Sequence, residues 1–251
     1  VVVMAVSLIM YKRMGLSNAD ITLYTSWLYL PWVIKPFWSP FVDIIKTKRW
    51  WIVTMQLLIG AALGGVAFTI PTSYWLQGSL CFFWLMAFSS ATHDIAADGF
   101  YMLGLDSHEQ TLFVGIRSTF YRFATIFGQG ALVAVAGWIN SFTGHIAYAW
   151  SLMFYISAAL FIGLWIYHSQ ILPRPAEDQE RPTVASTRMG KELWLTIKTF
   201  FQKEQVLVGI CFMLFYRMPE GLLSKVSTLF LVDGTANGGL GLSDSEYGLV
   251  Q

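Results

Sequence analysis

The 251-residue sequence is 55% hydrophobic and 16% aromatic, carries charge on only 12% of its residues and has a net charge of +1. A water-soluble domain carries about 25% charged residues, so with a mean hydropathy of +0.55 the chain is read as an all-α, multi-span membrane protein. The balanced charge gives no sign of a nucleic-acid partner, and Cys81 and Cys211, both in apolar runs, indicate neither a disulfide framework nor a thiolate metal site.

Val1–Met10 reads as the last half of a first span, and because the chain starts there without Met it is taken as an internal piece of a longer protein. After the polar turn Tyr11–Asn18, Ser17 and Asp20 have the spacing of a capping box. A second span is predicted from about Ala19 to Val42, bent by Pro31, Pro36 and Pro40 and carrying Lys35. The basic loop Asp43–Arg49 follows, with Asp43, Lys46, Lys48 and Arg49 as candidate gating residues and Trp50 and Trp51 placed as interfacial anchors. The third span, Trp51–Ile70, offers Gly60, Gly64 and Gly65 as a packing face.

Leu76–Leu103 is the stretch on which the functional reading rests. It is an apolar span that contains Asp94 and Asp98, four residues apart and therefore stacked on one helix face with Ala87, Ser90, Ala91 and Tyr101. An ionisable group inside a span is expensive and marks a functional site, although a structural ion pair that locks helices is the competing explanation. His93, one residue off that face, is a candidate proton carrier or a hydrogen-bonded packing residue.

The fifth span, Leu112–Ile139, carries Arg117 and Arg122, and the sixth runs over about Ile146–Tyr167. Ser169–Glu192 has linker composition, and Leu193, Ile197, Phe200 and Phe201 recur at the spacing of an amphipathic interfacial helix. The seventh span, about Val206–Val232, is expected to be interrupted at Pro219 and Gly221 and carries Arg217, Glu220 and Lys225. The resulting organisation is a transmembrane bundle over 1–168, a cytoplasmic linker over 169–205, and the start of a second bundle over 206–251. Lys and Arg concentrate on the linker side, which places that side in the cytoplasm.

Gly15-Leu16-Ser17-Asn18-Ala19-Asp20 returns as Gly241-Leu242-Ser243-Asp244-Ser245-Glu246, each opening a helix after a span. With a central linker and a period of six spans, the repeat points to two parallel six-helix halves, the major facilitator architecture, with the chain covering most of the first half and the start of the second. Counting at about 1.5 Å per residue puts Asp94 and Arg122 at similar mid-membrane depth and Lys35, Asp98 and Arg117 nearer the cytoplasm. Acids and bases can then pair between helices, and the excess of bases suits an anionic solute. Arg117 could instead snorkel to the interface. Phosphate-loop, zinc-protease and serine-elbow motifs are absent from the sequence, so no catalytic constellation competes and the chain is not read as an enzyme. An intramembrane enzyme using the buried acids and His93, and a non-transporting sensor, are the rival readings. No cofactor is called for.

At Leu30-Pro31 through Asp43, Ser90-Ala91-Thr92-His93-Asp94-Ile95-Ala96-Ala97-Asp98, Tyr121-Arg122 and Tyr216-Arg217 with Glu220, the sequence resembles the AmpG-like muropeptide permeases and their acetyl-CoA transporter relatives. It departs at Ile44 and Ile45, where that family carries a base, and at His93, where it carries Gln. The resemblance implies a monomeric bacterial inner-membrane importer of anionic cell-wall sugar–peptide fragments, driven by protons; an oligosaccharide or an acyl-CoA-type anion is the alternative cargo.

Overall fold

The computed structural model describes residues 2–179, 194–195 and 198–250. Linker positions 180–192, together with Leu193 and Ile197 of the amphipathic stretch, lie outside them. The described residues are mostly helical, without a strand. Five helices are long and apolar enough to cross a membrane. Their outward faces leave Phe68, Phe120, Phe142 and Leu223 uncovered, which is stable only where lipid takes the place of water. The chain is a multi-pass membrane protein.

The chain opens with α1 (Ser7–Arg13), preceded by a wide π-type turn at Val2–Val6. The second span is broken more deeply than a bend. It forms α2 (Asn18–Trp27), α3 (Leu30–Ile34), a tight turn at Lys35–Phe37 and α4 (Ser39–Ile44). Pro31, Pro36 and Pro40 each lack the N–H that would continue the ladder, and each stands in the first turn of a new segment. α5 (Lys48–Thr69), α6 (Trp75–Gly104) and α9 (Ile146–Ile171) pack together as the rigid part of the bundle. Here the small-residue face is used within the chain: a Cβ on Gly60 would come within 2.9 Å of Ile162, and one on Gly65 within 2.4 Å of Phe82.

The fifth span starts earlier than its apolar run predicts. α7 (Ser107–Ile126) opens on a full capping box, in which Asp106 accepts from the backbone of Glu109 and Glu109 reaches back to that of Asp106. A π-type turn at Phe127–Ala131 then leads into α8 (Leu132–Thr143). In a further correction, α10 (Val206–Val232) passes through Pro219 as one continuous helix, so the predicted interruption does not occur. α11 (Asp244–Val250) ends the described chain. Both copies of the repeat cap a helix, since Ser17 accepts from the Asp20 N–H at 3.2 Å and Ser243 from the Glu246 N–H at 3.3 Å. The longer Glu246 side chain also takes the Ser243 N–H at 2.9 Å.

The core is a stack of large side chains, with Tyr11, Phe83, Trp150, Phe154 and Tyr247 fully buried. Tyr11 meets Phe83 edge to face at 5.9 Å and bonds Ser79 at 3.0 Å. Tyr247, at the far end of the sequence, is buried in this same core.

Candidate functional site

Asp94 and Asp98 stand one turn apart on α6, as their spacing requires. Lys35 reaches them from the break in the second span, where Pro36 has ended regular helix: its Nζ donates to Asp94 Oδ2 at 2.7 Å. From the other side, Arg117 on α7 lies with Nη2 2.6 Å from Asp98 Oδ1 and 3.9 Å from Asp94 Oδ1. One guanidinium thus bridges both carboxylates, and the cluster ties the second, fourth and fifth spans together. The side chains keep substantial exposure, 37% for Asp94 and 56% for Arg117, so the cluster is open on one side and not sealed in packing.

Arg117 therefore pairs inward and does not snorkel. Arg122, placed by depth opposite Asp94, is exposed and makes no ion pair among the described residues. Five residues of helix turn the chain by about 500°, so Arg117 and Arg122 point about 140° apart and cannot both face α6. His93 turns away from the acids. The Gln56 amide lies 3.4 Å from its Nε2 and 3.0 Å from His168 Nδ1, forming a polar cluster between α5, α6 and α9. The side chains of Arg217 and Glu220 lie outside the described ones.

The loop after the second span is built as a clasp. Lys48, buried, forms an ion pair with Asp43, supplying from five residues on the base that is missing at Ile44 and Ile45. Its stem crosses α6 at Gly99, where a Cβ would come within 2.8 Å of it. Arg49 donates to the Leu172 carbonyl at 3.1 Å and to the Ser169 carbonyl at 2.5 Å, covering the end of α9. The Asp178 carboxylate accepts from the backbone N–H groups of Lys48 and Arg49 at 2.7 and 2.9 Å, so the first residues of the linker cap α5. Lys46 sits at φ 68° in this turn.

Asp178 and Gln56 are polar groups that patterning did not single out, and Lys225 gains a partner that it did not foresee. Lys225 on α10 donates to Ser26 at 2.6 Å and lies 5.7 Å from the Tyr29 ring centroid, which connects the seventh span to the second. Among the described residues no cluster of three or more His, Cys, Asp or Glu could hold a metal ion.

A bundle of membrane-crossing helices with a half-open acid–base cluster between its second, fourth and fifth spans defines a polytopic protein with a charged internal site. The chain belongs to the BT1 family, which it matches over residues 1–231. It is similar to "Putative transporter AmpG 4" of Rickettsia conorii, 24% identical across 100% of this chain and 60% of that protein. The protein of the same name from Rickettsia felis is 26% identical over 95% of this chain and 58% of its own length. An uncharacterized protein of Haemophilus influenzae is 24% identical over 81% and 47%. The chain thus spans about 60% of the length of the named relatives. No solved structure matches.

Proposed function

We propose that the protein is a secondary transporter that moves an anionic, sugar-containing solute into the cytoplasm across a bacterial inner membrane, in symport with protons. The carrying observation is the excess of bases on these spans. Lys35 and Arg117 balance Asp94 and Asp98 in the half-open cluster, and Arg122, exposed on another face of α7, has no ion-pair partner among the described residues. An anionic solute would supply the missing charge, since a guanidinium fork matches carboxylates and phosphates. The names of the Rickettsia relatives support transport, and the resemblance to muropeptide permeases supports a cell-wall fragment as cargo.

In this reading Asp94 is the coupling group. With its proton off, Asp94 holds Lys35; with the proton on, that pairing weakens and Lys35 is released toward the solute. Asp98 keeps Arg117 in place. Asp94→Asn fixes the neutral state, so the variant is expected to lose proton-driven accumulation while keeping counterflow of solute. Paired uptake and counterflow in proteoliposomes of the full-length protein, with anhydromuropeptides set against neutral oligosaccharides, checks it. Accumulation by Asp94→Asn under an imposed proton gradient overturns the coupling assignment, and equal uptake of both cargo types overturns the anionic one.

A further inference from the structure

We infer that Lys12, Arg13 and Asn18, together with Asp233 and Asp244, form a charged latch that holds the outer ends of the two halves together and must part for the outer face to open. The inference rests on the transporter reading for the two-state motion, but not on its cargo or coupling ion.

The contacts join two hairpins more than two hundred residues apart in sequence. Arg13 Nε lies 2.5 Å from Asp244 Oδ1, and the same guanidinium donates to the Leu242 carbonyl. Lys12 pairs with Asp233, and Asn18 Nδ2 donates to the other oxygen of that carboxylate at 2.7 Å. Lys12 also donates to Asn18 Oδ1 at 2.5 Å, which closes the ring. All of these groups stand at the ends of α1 and α10 and the starts of α2 and α11, the corners that the internal repeat makes equivalent. The bases and the amide come from the first hairpin and both carboxylates from the second.

The loop of the second hairpin is shaped for this contact. It turns back on Asp233, with the Gly241 N–H donating to the Asp233 carbonyl at 2.6 Å. A Cβ on Gly239 would sit 2.3 Å from that oxygen, and Gly241 itself adopts φ 69°, so neither position accepts a larger residue without strain. Behind the latch α11 lies directly on the fifth span. A Cβ on Gly248 would come within 2.6 Å of the Gly130 carbonyl, and one on Gly137 within 2.7 Å of the Ser245 backbone nitrogen. The seam is close-packed, backbone against backbone.

Charge pairs suit such a seam. They hold when the aqueous end is closed, and on opening each group regains water, so the open state is not burdened with orphaned polar atoms. An apolar seam of the same area would expose its whole surface on opening.

The test uses the full-length protein in proteoliposomes, with Cys81 and Cys211 replaced by Ser and a reporter Ser26→Cys, about two turns along α2 from Asn18. Labelling by a membrane-impermeant maleimide is timed from the outer side. Arg13→Gln and Asp244→Asn are each expected to speed labelling by about fivefold or more through a population shift, and Arg13→Lys to stay near the parent. Where a single variant fails to fold, Arg13→Cys with Asp244→Cys, bridged by a short bismaleimide, is expected to suppress labelling of a reporter blocked until after bridging. Labelling that neither the charge variants nor the bridge alters overturns the latch. Readout by accessibility leaves the result independent of whether the cargo or the proton has been assigned correctly.

Discussion

The protein holds two clusters of acid and base that are alike in composition and unlike in construction. The deep cluster joins the second, fourth and fifth spans, and its members are half exposed, from 32% for Lys35 to 56% for Arg117. The second cluster joins hairpins more than two hundred residues apart in sequence, and its carboxylates are nearly covered, 5% for Asp244 and 11% for Asp233. An ion pair that water can reach contributes about 0–1 kcal/mol, whereas removing one partner of a covered pair costs about 3–5 kcal/mol because the other is left charged and dry. The deep pairs are thus cheap to part, and the covered pairs are the costlier ones to break.

The largest expected effect tests this contrast directly. Arg13→Met should destabilise by about 3 kcal/mol, since it strands the Asp244 carboxylate and the Leu242 carbonyl. Lys35→Met should cost no more than about 1 kcal/mol, because Asp94 retains water and lies within reach of Arg117. Unfolding in detergent, followed by tryptophan fluorescence for both variants beside the parent, measures the difference. Equal losses would mean that the two clusters are energetically one kind.

The long helices were legible in the sequence because unbroken apolar runs leave a membrane protein little choice. The carboxylate stack was legible too, because Asp94 and Asp98 obey the period of a helix. Partners across helices were not, since depth alone does not fix azimuth. Arg122 matched Asp94 in depth, yet the turn of the helix gave the contact to Arg117. The start of the fifth span was hidden for another reason. Its first turn is polar, and what makes it helical is the Asp106–Glu109 capping box, outside any hydropathy window. At Pro219 the local rule failed, and the helix continues through it.

A smaller effect is expected where the linker begins. Asp178 caps α5 from outside the helix, accepting from two backbone N–H groups that are otherwise without helical acceptors. Asp178→Ala should cost about 1 kcal/mol, the usual loss of a capping carboxylate, and should free the linker from the clasp formed by Lys48 and Arg49. Limited proteolysis of the linker is the sensitive readout, and cleavage should speed up several-fold while the spans stay intact. Unchanged cleavage would show that Arg49 on the α9 carbonyls is enough to hold this end.

The smallest effect is the pH dependence of Asp233 in the latch. Asp233 lies at the aqueous end of α10, and its hydrogen bonds from Lys12 and Asn18 hold its carboxyl below the ordinary aspartate value of 3.8. A group whose folded-state value is depressed contributes stability that is complete above its unfolded value and is lost as pH falls through the folded one. The Asp233 contribution should therefore be constant from neutrality down to about pH 4 and fade only below that, as the carboxyl takes up a proton and Lys12 loses its partner. Asp233→Asn leaves an oxygen for Lys12 or Asn18 and removes only the charge, so it should cost about 1 kcal/mol and not the full loss of a covered pair. It should melt lower than the parent by about 2–4 °C at neutral pH. The two melting curves should converge as the buffer is taken below pH 4. Because Lys12 keeps 18% exposure, added salt should narrow the gap slightly at neutral pH as well. A difference that persists undiminished at low pH would mean that Asp233 acts through its hydrogen bonds to the loop and not through its charge.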